Sequence, residues 1–213
     1  MRIFLNLYRQ HRCLFIGFLA WLFLAGLCCC SVSKSQAFFL INSHHHALGD
    51  LLFTGFTFAG DGISILLLSA VLFFTRKKNL AITLFITYLV SGLISVLLKN
   101  LCDAGRPAAF FDETLIHHVS WLHLSRLHSF PSGHTTSAFA AAAAVAFHYR
   151  NTAVSLAALL VAALVAYSRV YLGQHFVEDV WMGSLLGFAT TTAFVLAAAV
   201  KRSIAAAPLL GNA

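Results

Sequence analysis

Residues 168–179 read S-R-V-Y-L-G-Q-H-F-V-E-D and lie between two long apolar runs. An arginine, a histidine and two carboxylates are packed into this short junction. In a chain that is 60% hydrophobic, such groups near a membrane boundary mark a functional site. Two further polar islands, 99–107 and 131–134, stand at the ends of other apolar runs. The chain has 213 residues, only 10% of them charged, whereas a soluble domain carries about 25%. The composition predicts an all-α integral membrane protein, and no shift along 1–213 marks a second domain.

A helix needs about 20 apolar residues to cross a bilayer. Runs at 13–31, 55–75, 80–98, 134–148, 152–172 and 180–200 predict six transmembrane helices in a bundle. The fourth run is short and almost all alanine, which suits a helix buried among others. Gly183 and Gly187 form a small-residue pair in the sixth, so the last three or four spans are expected to pack tightly.

Lysine and arginine set the orientation. Arg2, Arg9, Arg12, Arg76, Lys77, Lys78, Arg150, Lys201 and Arg202 fall on one side of this six-span layout. Lys34, Lys99, Arg106, Arg126 and Arg169 fall on the other, with all seven acids on or near that side. Both termini are therefore expected in the cytoplasm. The three polar islands then face outward from the cell membrane, toward the periplasm in a Gram-negative cell.

Several function classes drop out. The net charge of +7 is scattered between apolar spans and forms no stripe, so no nucleic-acid partner is expected. The five cysteines are odd in number and lack paired ligand spacing, which predicts neither a disulfide framework nor a zinc site. Leu27 before Cys28 is too large for a lipoprotein cleavage site. The basic start followed by an apolar run resembles a signal peptide, but no small-x-small pattern follows it, so an uncleaved anchor is expected. The segment 32–50 reads as an outer interfacial loop, with His44, His45 and His46 as titratable polar residues rather than metal ligands. Asp61, between Gly60 and Gly62, either pairs with an outer basic residue or simply sits at the wet boundary. The loop 99–131 carries His117, His118, His123, Arg126 and His128 with Trp121, and reads as an interfacial segment near the site entrance.

The expected topology gathers Lys99, Arg106, Ser132, Gly133, His134, Arg169, His175 and Asp179 at one membrane face. Three cations and two histidines suit a tetrahedral oxyanion: guanidinium groups bind phosphate oxygens bidentately and a lysine adds a point charge. Ser132 and Gly133 open a helix whose free N–H groups favour an anion, and Ser132 is placed to cap it. A neutral imidazole is a competent nucleophile near neutral pH. Asp179, four residues after His175, can fix its tautomer, and Glu178 at i+3 is a rival for that role. His134 can then protonate the departing oxygen. His123, His128 and His148 read as interfacial groups.

The three motifs are Lys99 with Arg106-Pro107, then Pro131-Ser132-Gly133-His134, then Ser168-Arg169 with His175 and Asp179. Together they resemble the signature of the type 2 phosphatidic acid phosphatase superfamily, filled at every position over about 80 residues. The resemblance implies hydrolysis without metal or other cofactor, through a phosphohistidine on His175. It implies leaving-group protonation by His134 and phosphate binding by Lys99, Arg106, Ser132, Gly133 and Arg169. The implied substrates are membrane lipid phosphates: phosphatidic acid, phosphatidylglycerol phosphate, undecaprenyl pyrophosphate or lipid A. A lipid phosphotransferase would use the same residues, and a related fold serves soluble vanadate haloperoxidases, against which the six spans argue. A non-enzymatic lipid-binding or translocating protein would need the cations but no nucleophile. Oligomeric state has no signature in the sequence.

Overall fold

The computed structural model describes residues 2–206. Among them the chain is helical with no strands. The helices are α1 (Arg2–Gln10), α2 (Arg12–Ser31), α3 (Lys34–Asn42), α4 (Ala47–Ala59), α5 (Gly62–Phe74), α6 (Lys78–Cys102), α7 (Pro107–Phe110), α8 (Gly133–Tyr149), α9 (Thr152–Tyr171) and α10 (Val177–Ala206), with one 3₁₀ turn at Glu113–Leu115. Four segments are long and apolar enough to cross a membrane: Arg12–Ser31, Lys78–Phe110, Thr152–Tyr171 and Val177–Ala205. A fifth is the pair α4 and α5, which meet at a 57° bend. The chain is a multi-pass membrane protein.

Helix α8 is the hub. Its alanines from Ala138 to Ala146 are nearly all buried, and it packs on α6, α9 and α10. A helix walled by methyl groups lets neighbours approach closely, and the glycines of α10 use that space. A Cβ at Gly187 would lie 2.1 Å from the Thr136 carbonyl oxygen, and one at Gly183 would lie 2.7 Å from that of Ser132. Thr191 Oγ1 adds a hydrogen bond to the Ala140 carbonyl at 3.1 Å. On the other flank α2 locks onto α10. Trp21 donates to Ser184 Oγ at 3.0 Å and Trp181 donates to the Leu22 carbonyl at 3.0 Å, while Phe18 and Phe188 stack at 3.7 Å.

The structure departs from the sequence expectation in the N-terminal third. The second span begins at Ala47, not 55, and is broken. Asp61 accepts the Ile63 N–H at 2.8 Å and caps α5. A short carboxylate between two glycines stabilises a fresh helix start better than a continuous helix. The expected loop 32–50 instead contains α3, started by a capping box between Ser33 and Gln36 and anchored by buried Ala37, Phe38 and Asn42. Of the histidines there, His46 caps α4 through Gly49 N and His44 meets the Leu40 carbonyl, while His45 stacks on the distant His117. The segment after α7 has only the short 3₁₀ turn. It is tied down where Asn42 brackets His117, donating to its carbonyl and accepting from its N–H, both at 2.9 Å.

Candidate active site

His175 lies in the turn between α9 and α10, two residues before α10 begins at Val177, and so not on the shared helix face that the sequence spacing implied. The turn is closed by the Arg169 carbonyl, which accepts from the N–H groups of Gln174 at 2.9 Å and His175 at 3.1 Å. Asp179 sits in the first turn of α10, where its Oδ2 accepts the Phe176 N–H at 2.9 Å. That bond fixes the carboxylate as the acidic member of a capping arrangement. The same oxygen stands 3.3 Å from His175 Nδ1, which leaves Nε2 on the opposite side of the ring. Glu178, the rival, is half-exposed and pairs with Lys34 on α3.

Both members of the pair are buried, His175 at 1% and Asp179 at 0% exposure. Burial pulls the His175 ring well below the usual histidine range, and the positive fields of Arg106, Arg169 and Lys99 act in the same direction. A neutral imidazole with one nitrogen engaged by a carboxylate has a lone pair available on the other.

Ser132, fully buried, is the residue before α8. Its backbone N–H donates to the Asp179 carbonyl at 3.0 Å, which pins the start of α8 to the start of α10. Its side chain makes no capping bond to the α8 backbone; its Oγ accepts instead from Thr135 at 3.0 Å. The leading N–H groups of α8, beginning at Gly133, therefore have no side-chain cap, and they carry the positive end of the helix dipole. His134 follows on the same turn, with Nε2 3.6 Å from Asp61 Oδ2.

The cations come from three elements. Lys99, in the last turn of α6, donates to the His128 carbonyl at 2.6 Å. Arg106 donates from Nε to the Leu127 carbonyl at 3.1 Å and from Nη1 to Gln174 Oε1 at 3.3 Å. Arg169, at the end of α9, is 4% exposed and donates from Nη1 to Thr57 Oγ1. Its Nε has no partner within the protein. An unpaired buried guanidinium N–H is costly, and an anion is the group that would satisfy it.

The structure thus brings all eight singled-out residues to one end of the bundle. Sequence reasoning missed their supports. Ser129 Oγ donates to Asp179 Oδ2 and lies 3.4 Å from His175 Nδ1. Thr57 holds Arg169, and Gln174 holds Arg106. Ser129 and Gln174 lie within two residues of the motifs, which was a usable signal; Thr57 is more than 100 residues from its partner and left none. Among the described residues no cluster of three or more His, Cys, Asp or Glu side chains is arranged to hold a metal ion.

A family model described as the PAP2 superfamily matches residues 80–203, more than half of the chain. The chain belongs to the PAP2 superfamily. A lipid A 1-phosphatase of Rhizobium johnstonii is 35% identical over 173 residues, covering 70% of this chain and 67% of the relative. Phosphatidylglycerophosphatase B of Bacillus subtilis is 31% identical over 132 residues, covering 58% and 60%. Among solved structures, Aquifex aeolicus LpxE superposes with a TM-score of 0.66 at 31% identity, over 73% of this chain and 90% of that one. A transmembrane PAP2 type phosphatidylglycerolphosphate phosphatase from Bacillus subtilis superposes with a TM-score of 0.64 at 25% identity, over 92% and 97%. The protein is placed by these likenesses among the PAP2 lipid phosphate phosphatases, and the matched segment contains all eight site residues.

Proposed function

We propose that this PAP2 protein hydrolyses a phosphomonoester or pyrophosphate on a membrane lipid at the outer face of the cytoplasmic membrane, through a phosphohistidine on His175. His175 Nε2 attacks phosphorus as the bond to the lipid oxygen breaks, and that oxygen takes a proton from His134. Water then attacks phosphorus, its proton passes to His134, the phosphorus–nitrogen bond breaks, and inorganic phosphate leaves. Asp179 holds the His175 ring in the attacking tautomer. Lys99, Arg106, Arg169 and the backbone at Ser132 and Gly133 neutralise the phosphoryl oxygens, the stabilisation on which such transfers depend. The observation that carries this reading is the buried Asp179–His175 pair facing a ring of three cations, one of them with an unpartnered buried N–H.

In the proposed topology α2, the α4–α5 pair, α6, α8, α9 and α10 make six spans, with both termini cytoplasmic. The similarity to lipid A 1-phosphatases from two Rhizobium species, at 35% and 33% identity, puts lipid A phosphate first among the substrates. Phosphatidylglycerol phosphate, undecaprenyl pyrophosphate and phosphatidic acid follow.

The test is phosphate release by purified protein in detergent with a chelator present, on those four lipids. Release from one of them, abolished in His175→Ala and unchanged by the chelator, is the expected result. Release that survives His175→Ala would overturn the phosphohistidine mechanism. Phosphate transfer to an added acceptor lipid, with no free phosphate, would convert the assignment to a phosphotransferase.

A further inference from the structure

Beyond the PAP2 motifs, we propose that Asp61 is the counter-ion of His134 and tunes its proton for delivery to the leaving group. This assignment rests on the reading of His134 as the general acid. Asp61 lies at the break between α4 and α5, outside the segment 80–203 that matches the family and outside all three motifs.

The geometry divides the two carboxylate oxygens between two tasks. Oδ1 accepts the Ile63 N–H at 2.8 Å and starts α5. Oδ2 stands 3.6 Å from His134 Nε2, with both side chains about one-third exposed. The break is seated directly against the start of α8: a Cβ at Gly60 would lie 2.9 Å from the His134 carbonyl oxygen and 2.4 Å from Val165 Cγ1. One turn earlier, Thr57 receives Arg169 Nη1. A single kink therefore supports one phosphate-site cation and the proposed acid together.

The charge around His134 explains why a carboxylate is needed there. Lys99, Arg106, Arg169 and His175 gather positive charge and imidazole at the same end of the bundle as half-buried His134, and Asp61 faces Arg169 as well as His134. Asp179 on α10 is engaged by Ser129, the Phe176 N–H and His175. Among the described residues the carboxylate that pairs with His134 is Asp61. An acid that must carry a proton among cations needs a compensating negative charge. During turnover the proton moves from His134 to the departing lipid oxygen and is regained from the attacking water, while Asp61 neither gives nor takes it. Asp61 is thus a positioning residue, acting through His134.

The test is Asp61→Asn, which removes the charge and keeps a helix-capping side chain. The full-length protein in detergent is assayed against pH on short-chain phosphatidic acid and on para-nitrophenyl phosphate. The first has an alkoxide leaving group that needs a proton, and the second has an aryl oxide that needs little help. On the lipid, kcat is expected to fall at least about tenfold, and the alkaline limb of its pH profile to move about one pH unit lower. On the aryl ester the loss should stay within about threefold. Asp61→Ser, which also caps, should behave alike and guards against a folding defect of one variant. Equal losses on both esters with an unmoved alkaline limb, or no loss at all, would overturn the assignment. His134→Asn is run beside them. If it discriminates between the two esters while Asp61→Asn does not, only the Asp61 inference fails. If His134→Asn loses activity equally on both, the general-acid reading beneath it fails as well.

Discussion

His175 shows how burial among cations holds an imidazole neutral. The ring is packed at 1% exposure with three cations acting on it, so the folded protein holds it neutral well below the ordinary histidine range. In the unfolded chain the same ring takes a proton as pH falls below about 6.5. Below that value the unfolded state binds more protons than the folded one, so stability must fall as pH falls. The slope from one such group is about 1.4 kcal/mol per pH unit. His11, buried beside Phe147 and Arg150, is shifted in the same direction, so the wild-type slope carries both contributions. Thermal unfolding in detergent between pH 7 and pH 5 should therefore show a smaller loss of Tm in His175→Asn than in the wild type. Equal losses in the two proteins would show that His175 titrates normally in the fold. The place of this histidine beside Asp179 was legible from their spacing in the sequence. The serine behind it was not, because Ser129 enters only when the loop from α7 folds back and its N–H meets the Ala104 carbonyl at 2.9 Å.

At the level of the helices, the site depends on how closely α10 can lie against α8. Ser132 and Asp179 are joined by a backbone bond at the N-terminal ends of these two helices, and the glycine contacts lie within the next turns. Gly187→Ala would place a methyl group 2.1 Å from the Thr136 carbonyl oxygen, a contact relieved only by moving a backbone. Overpacking of this kind costs about 1–3 kcal/mol, and the resulting shift would separate Ser132 and His134 from His175. Gly187→Ala is expected to lower both Tm and kcat. Gly92→Ala, where no atom lies within 4 Å of the added carbon, should leave both near wild type and serves as the control. If Gly187→Ala matches that control, the close approach is not what holds the site in register. The glycine pair and the alanine-rich fourth run announced this interface in the sequence, because small side chains have few other uses between apolar helices. The break at Asp61 was half-legible. Its flanking glycines were visible, but hydropathy averages over a kink and returned one run at 55–75. Helix α3 was missed because its burial comes from contacts with distant segments, including Asn42 with Tyr171, and its own hydrophobicity is modest.

Across the whole molecule, the residues 99–107, 131–134 and 168–179 are separated by apolar stretches and still meet at one end of the bundle. An even number of spans lies between the second and third islands only if α8, with 17 residues, is counted as crossing along with α9. It is short for a span, but it is shielded by α6, α9 and α10 rather than lipid, and its ends can be met by thinner protein-lined water at either face. The count has a direct consequence for sidedness. In the proposed six-span topology the site would face outward and Lys77, between α5 and α6, would face the cytoplasm, in line with the bias of lysine and arginine. Single cysteines introduced as His44→Cys and Arg76→Cys, with the five native cysteines replaced by serine, read this out with a membrane-impermeant maleimide on intact spheroplasts. His44→Cys is expected to label at once, and Arg76→Cys only after the membrane is permeabilised. In the same cells an impermeant aryl phosphate should be hydrolysed without permeabilisation, because the phosphate site and His44 lie at the same end of the bundle. Labelling of Arg76→Cys from outside would invert the topology. The site would then face the cytoplasm, and its lipid substrates would have to be drawn from the inner leaflet.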